Sequence, residues 1–196
     1  MIKVGVTGNI ASGKTTFTNF FNHKKNTFIF NADKEAKKHL KKHSVLQQKL
    51  VNSFGKKILT GRDLDFKKLA GVSFENKINQ KILNGIMWPE VLILIERALE
   101  EATQKKCNYF VVDAALLFEA NYQYFFDYIV LVIANKENRL KRAIKRKNID
   151  IAQINKRMKL QMLDKEKKEL CDFVIENNSD IQNLENEFEL IFKKLI

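Results

Sequence analysis

The chain has 196 residues, 45% of them hydrophobic and 30% charged, with a formal charge of +12. That length supports one domain with a real core, and the composition excludes a disordered chain. The charge favours anionic partners, leaving nucleic acid, an anionic membrane surface and polyphosphate compounds open.

The first apolar run, Ile2–Val6, reads as a strand. Two residues later Gly8-Asn9-Ile10-Ala11-Ser12-Gly13-Lys14-Thr15 fits G-x-x-x-x-G-K-[ST], and the segment from Thr15 to Phe21 reads as a helix. Strand, loop and helix in that order are the context a phosphate-binding P-loop requires. Gly8 and Gly13 let backbone N–H groups turn toward an anion, and the helix N-terminus adds a favourable dipole. Lys14 would reach the β- and γ-phosphates, and the Thr15 hydroxyl would bind Mg²⁺. The expected ligand is a nucleoside triphosphate, with an ordinary Gly-rich strand–helix turn as the alternative.

Further strands are expected at Thr27–Phe30, Tyr109–Val112, Tyr128–Ile133 and Asp172–Ile175. They are short, rich in Val, Ile and Phe, and separated by helical patterns. That is the signature of an α/β fold with a five-stranded parallel sheet flanked by helices. Helical segments near Lys34–Ser53, Phe66–Ala70, Glu75–Met87 and Glu90–Gln104 fill a stretch too long for one crossover, and read as an inserted substrate lobe. A basic, glycine-free excursion from Asn135 to Leu170 reads as a helical pair, either an anion-binding lid or a solvated hairpin. The expected organisation is a single domain over 1–196. Its core comprises about 1–33, 105–135 and 171–196, its helical insertion about 34–104, and its lid about 136–170.

Asp33 follows the second strand by three residues and should face the mouth of the P-loop. There it could orient or deprotonate an attacking hydroxyl, or help hold the metal; equally, it could cap the next helix. Asp113 ends the run Tyr109–Val112, the pattern of a Walker-B carboxylate for Mg²⁺. Glu119 either shares that cleft or starts a helix. Arg139, Arg142 and Arg146 recur at helical spacing on one face, suiting phosphate oxygens or nearby acids. His39 and His43, an i, i+4 pair without a carboxylate companion in the sequence, read as surface residues. Cys107 and Cys171 form no C-x-x-C pair, so no redox motif or zinc site is expected from them.

The lysines are scattered in pairs such as Lys24-Lys25 and Lys167-Lys168, which counts against a nucleic-acid partner. A strand that begins at once predicts no signal peptide. Asp113, Glu119 and Asp127 break the apolar stretch from Tyr109 to Ala134, so no membrane partner and a cytoplasmic location are expected. Oligomeric state is left open.

Together, Val6 to Thr16, Asn31-Ala32-Asp33, Leu116-Leu117-Phe118-Glu119, Arg139-Leu140-Lys141-Arg142 with Arg146, Gln161 with Lys167, and Cys171 to Asn178 resemble the dephospho-CoA kinase family over essentially the whole chain. The resemblance implies a P-loop NTPase fold and transfer of the ATP γ-phosphoryl group to the ribose 3′-hydroxyl of dephospho-CoA. It implies that Gly8 to Thr16, Arg142, Arg146 and Asn177 bind ATP. Asp33, Lys14 and Arg142 would be catalytic, and Thr15, Asp33 and Asp113 would hold Mg²⁺. The chain departs from the family pattern at Asn31, Lys37, Phe66, Trp88 and Ala115, mostly on the acceptor side. Another small-molecule or nucleoside monophosphate kinase, and a nucleic-acid-associated ATP-binding protein, are the alternatives.

Overall fold

A computed structural model describes residues 1–145 and 151–195. Five parallel strands, β1 (Ile2–Thr7), β2 (Thr27–Asn31), β5 (Tyr109–Asp113), β6 (Tyr128–Ile133) and β7 (Phe173–Glu176), lie in the order β2-β5-β1-β6-β7. Four of the five end one residue later than the hydrophobic pattern predicts. The added residues are Thr7, Asn31, Asp113 and Glu176. Ladder pairing carries the chain past the last apolar side chain, so polar groups sit on the rigid sheet edge itself.

Alternate strand residues point to opposite faces, and each face has its own helix layer. On one, Val4, Val6, Val111, Val130 and Val132 meet Phe17 of α1 (Lys14–Phe20) and Leu184, Phe188 and Phe192 of α9 (Ile181–Phe192). Phe17, Phe21 and Phe188 are packed edge to face. Burial of each such ring contributes roughly 1.5–3 kcal/mol, which fixes the start of α1 beneath the P-loop. On the other face, Phe110, Val112 and Ile129 meet Ile95, Ala98 and Ala102 of α5 (Lys77–Gln104).

Helix α5 runs unbroken for 28 residues with Pro89 inside it, where the sequence suggests two segments. Proline removes one N–H donor and crowds the carbonyl four residues back, and packing of α5 on both sides of it offsets that cost. The single segment expected at Lys34–Ser53 is instead divided into α2 (Ala32–Lys42) and α3 (Ser44–Phe54). The break falls at His43, an extended residue whose Nδ1 accepts from the Leu46 N–H at 3.3 Å. These helices, the hairpin β3 (Leu59–Thr60) and β4 (Asp63–Leu64), and α4 (Phe66–Ser73) surround a separate core of Leu40, Leu46, Leu50, Phe54, Ile58 and Leu69.

Between β6 and β7 lie α6 (Lys136–Lys145), α7 (Ile151–Leu160) and a short α8 (Asp164–Lys168). Ala143 and Ile154 from this excursion are buried against Ala11 of the loop, so apolar contact seats it on the P-loop. Among the described residues no helix is long and apolar enough to cross a membrane.

Candidate active site

The sheet register builds the site. Asp113 is the ladder partner of both Val6 and Asn31, so the ends of β1, β5 and β2 stand side by side. The Thr15 hydroxyl donates to Asp113 Oδ2 at 2.5 Å, and Asn31 Nδ2 donates to the same oxygen at 2.9 Å. Asp113 is 2% exposed, and these two donors compensate its burial. Asn31 also uses Oδ1 to accept from the Lys34 N–H, capping α2. The capping alternative for Asp33 is therefore corrected: Asn31 occupies the cap, and Asp33 lies in the first turn, free to face the cleft.

The loop between β1 and α1 depends on two glycines. Gly8 (φ +146°) and Gly13 (φ +107°) hold a backbone that L side chains avoid. A Cβ at Gly8 would also sit 2.1 Å from the Val132 carbonyl oxygen, and one at Gly13 would sit 2.0 Å from Asn177 Nδ2.

Two cavities flank this loop. The larger, about 600 Å³, is lined by Ile10, Lys14, Thr15, Asp33, Lys37 and Arg157 among others. Asp33 is exposed at its mouth. Enclosure in the narrow cleft still raises its pKa above the ordinary 3.8; the Asp113 charge adds to this, while Lys14 and Arg157 oppose it. The smaller cavity, about 340 Å³, is lined by Gly13, Thr16, Arg142 and Asn177 among others. Arg142 thus stands apart from Lys14 and Asp33. It donates to the Ser12 carbonyl at 3.3 Å and to the Asn177 carbonyl at 3.0 Å, and Asn177 Nδ2 donates to the Ser12 carbonyl at 2.8 Å. Arg139 is buried, donating through Nε to the Ile10 carbonyl at 3.0 Å with Asp164 at 3.6 Å. Arg146 lies outside the described residues.

The residue that sequence reasoning missed is Arg157, on α7. Its guanidinium lies 4.5 Å from the Phe74 ring centroid, and its buried Nε has no hydrogen-bond partner among the described residues. Burial lowers its pKa and the Asp33 carboxylate raises it. Arg157 and Lys37 both line a further, mainly apolar pocket of about 300 Å³, bounded by Phe66, Leu69 and Met87. Sequence spacing gives no warning of this, because Arg157 belongs to none of the arginine repeats.

Glu119 starts no helix. Its Oε1 accepts from the Met162 N–H at 3.0 Å and pairs with Lys167 Nζ at 3.0 Å. Lys167 is fully buried; burial lowers its pKa and Glu119 opposes that. The Ala115 carbonyl accepts from Lys167 Nζ at 3.3 Å and from Thr7 Oγ1 at 3.4 Å. That role needs only a backbone oxygen, so it tolerates the change of side chain at this position. From the lid side, Gln161 Oε1 accepts from the Ile10 N–H at 2.9 Å and Asn9 donates to Asp164 Oδ1 at 2.7 Å. The excursion beyond β6 is bolted to the P-loop by polar as well as apolar contacts.

Trp88 contributes its carbonyl, which accepts from the Tyr122 hydroxyl. Burial pushes that phenol up to about 12. The reading of His39 and His43 as lacking a carboxylate is also corrected. Glu90 Oε2 lies 3.2 Å from His39 Nε2, brought there by α5 from fifty-one residues away.

The sequence pattern of a family described as dephospho-CoA kinase matches residues 2–183. A dephospho-CoA kinase from Fusobacterium nucleatum subsp. nucleatum is 38% identical over 182 residues, covering 92% of this chain and 92% of that protein. The crystal structure of TT1252 from Thermus thermophilus superposes with a TM-score of 0.78 at 26% identity, covering 100% and 98% of the two chains. A dephospho-CoA kinase from Campylobacter jejuni superposes with a TM-score of 0.68 at 26% identity, covering 98% and 96%.

Proposed function

The chain belongs to the dephospho-CoA kinase family, and from that premise we propose that it transfers the γ-phosphoryl group of ATP to the ribose 3′-hydroxyl of dephospho-CoA, giving coenzyme A and ADP. The observation that carries this reading is the junction of Lys14, Thr15 and Asp33 at one cavity, with Asp113 bonded to the Thr15 hydroxyl behind them, joined through Arg157 and Lys37 to the apolar pocket beyond.

The loop from Gly8 to Thr16 would cradle the ATP phosphates, with Lys14 on the β- and γ-oxygens. Arg142 and Asn177, in the cavity on the far side of Gly13, would hold the rest of the nucleotide. Arg146 is proposed as a further phosphate contact. The Thr15 hydroxyl and the Asp113 carboxylate form an oxygen-only donor pair, the chemistry that Mg²⁺ prefers. They fit the metal, with Asp33 across the cleft as a third candidate ligand. When bound, Mg²⁺ would neutralise charge on the transferring phosphoryl oxygens.

Asp33 is the base in this reading. A carboxyl whose pKa is raised by enclosure accepts a hydroxyl proton more readily than an ordinary aspartate. Lys14 and Arg157 favour its ionised form and add positive charge around the phosphoryl group in flight. The helical unit from α2 to α5 would bind the acceptor, and α6 to α8 would act as the lid. A cytoplasmic location accords with substrates of this kind.

The test is to incubate the purified protein with ATP, Mg²⁺ and dephospho-CoA and to analyse the product by mass and position of phosphorylation. One phosphate added at the 3′ position supports the reading. No product at any acceptor concentration, or preferential phosphorylation of nucleoside monophosphates, defeats it.

A further inference from the structure

The His39, His43 and Glu90 cluster lies outside this machinery. One ligand atom from each residue can be chosen so that all three lie within 4.8 Å of one another. His39 and Glu90 side chains are 20% and 24% exposed, and the two imidazole centroids are 4.9 Å apart. The group sits at the C-terminus of the 11-residue helix α2, whose dipole favours a cation. Lys38, nearby on the same helix, is already paired with Glu35 at 2.6 Å.

We propose that His39, His43 and Glu90 form a binding site for a transition-metal dication of the Zn²⁺ type, joining the end of α2 to α5. Two imidazole nitrogens and a carboxylate oxygen are a common Zn²⁺ donor set, and partial exposure leaves a fourth position for water. Mg²⁺ is excluded by its preference for oxygen. Ligand atoms around tetrahedral Zn²⁺ stand about 3.3 Å apart. The His39–Glu90 pair is already at 3.2 Å, so the remaining closure falls on His43.

That closure has a specific consequence. His43 Nδ1 accepts from the Leu46 N–H, so the neutral ring carries its proton on Nε2. A metal at Nδ1 displaces the cap directly. A metal at Nε2 requires that proton to move to Nδ1, and the resulting Nδ1–H tautomer cannot accept from Leu46. Either way, metal capture exchanges the first cap of α3 for a bond between α2 and α5.

The experiment uses the full chain without an affinity tag, stripped with chelator and titrated with Zn²⁺ in excess Mg²⁺, then with Co²⁺ followed by visible absorption. The expected result is one Zn²⁺ per chain, a four-coordinate Co²⁺ spectrum and faster hydrogen exchange at the Leu46 amide. His39→Ala should weaken Zn²⁺ binding by at least about tenfold, a loss of roughly 1.4 kcal/mol. His43→Asn retains a good helix-capping side chain and should weaken it similarly, separating loss of a ligand from loss of the cap. Cys107→Ser and Cys171→Ser should bind as the parent does. Unchanged affinity in folded His39→Ala and His43→Asn, or no Zn²⁺ uptake by the parent, overturns the proposal.

Discussion

The Thr15 hydroxyl donates to Asp113 Oδ2 at 2.5 Å, joining the first turn of α1 to the end of β5 across ninety-eight residues of sequence. This bond sets the two halves of an oxygen-donor pair side by side. It also gives the P-loop a fixed position relative to the sheet.

Asp113→Asn should preserve the fold and the loop but weaken the metal site. We expect kcat to fall on the order of a hundredfold, with the Mg²⁺ concentration for half-maximal rate rising. Unaltered Mg²⁺ dependence in steady-state kinetics would remove Asp113 from the metal's coordination.

Asp33→Asn should lower kcat by roughly 10²–10⁴-fold, the range for a lost general base, with ATP affinity nearly unchanged by calorimetry. Stability should move the opposite way. A folded-state pKa above the ordinary 3.8 means that the native state holds this proton more tightly than the unfolded chain. The stabilisation is full below 3.8 and is lost as pH rises through the raised value. Above the raised value the ionised carboxylate therefore opposes folding, and there the amide variant should melt at a higher temperature. A variant that melts lower at pH 7 while retaining the fold would contradict this.

Arg157 holds the Asp33 pKa down. Arg157→Ala should shift the acid limb of the kcat/KM profile to higher pH and reduce kcat/KM for the acceptor by about tenfold or more. Arg157→Lys restores the charge but not the guanidinium's contact with the Phe74 ring, so it should recover the limb without recovering the acceptor KM. An acid limb that stays in place in the alanine variant would rule out coupling between these residues.

Asn31→Asp replaces a donor to Asp113 with a carboxylate. The ligand-free protein should melt lower, because two acids then share one buried position. Added Mg²⁺ should raise its melting temperature more than it raises that of the parent. Equal Mg²⁺-induced shifts would show that residue 31 lies beyond the metal's influence.

Glu119 and Lys167 connect the turn after β5 to α8. Lys167→Met should destabilise by about 3–5 kcal/mol, since it leaves the largely enclosed Glu119 carboxylate without its cation. Lys167→Met combined with Glu119→Gln should recover part of that loss in denaturant titrations. Additive losses would argue that the pair does not act as a unit.

The local pattern of residues 2–21 determines a great deal. An apolar run, two glycines at the right separation and Lys14-Thr15 specify a strand, an anion-binding turn and a helix, because each depends on neighbours in sequence. The five strands are legible for the same reason, as is Asp113 at the end of one of them. Asp33 could be placed at the mouth of the loop but not relieved of a capping role, since only the structure reveals that Asn31 takes the cap. Pro89 looks like a helix boundary in sequence, yet packing along α5 overrides it.

What only the tertiary structure decided are meetings between distant elements. Thr15 with Asp113, Glu119 with Lys167, Arg157 with Asp33 and His39 with Glu90 each require a strand register or a helix crossing that no local pattern encodes. Hydrophobic periodicity specifies which face of an element is buried, and says little about which polar side chains then face one another. Those pairings arise because the sheet brings the ends of β1, β2 and β5 together and the long helix α5 carries Glu90 back to α2.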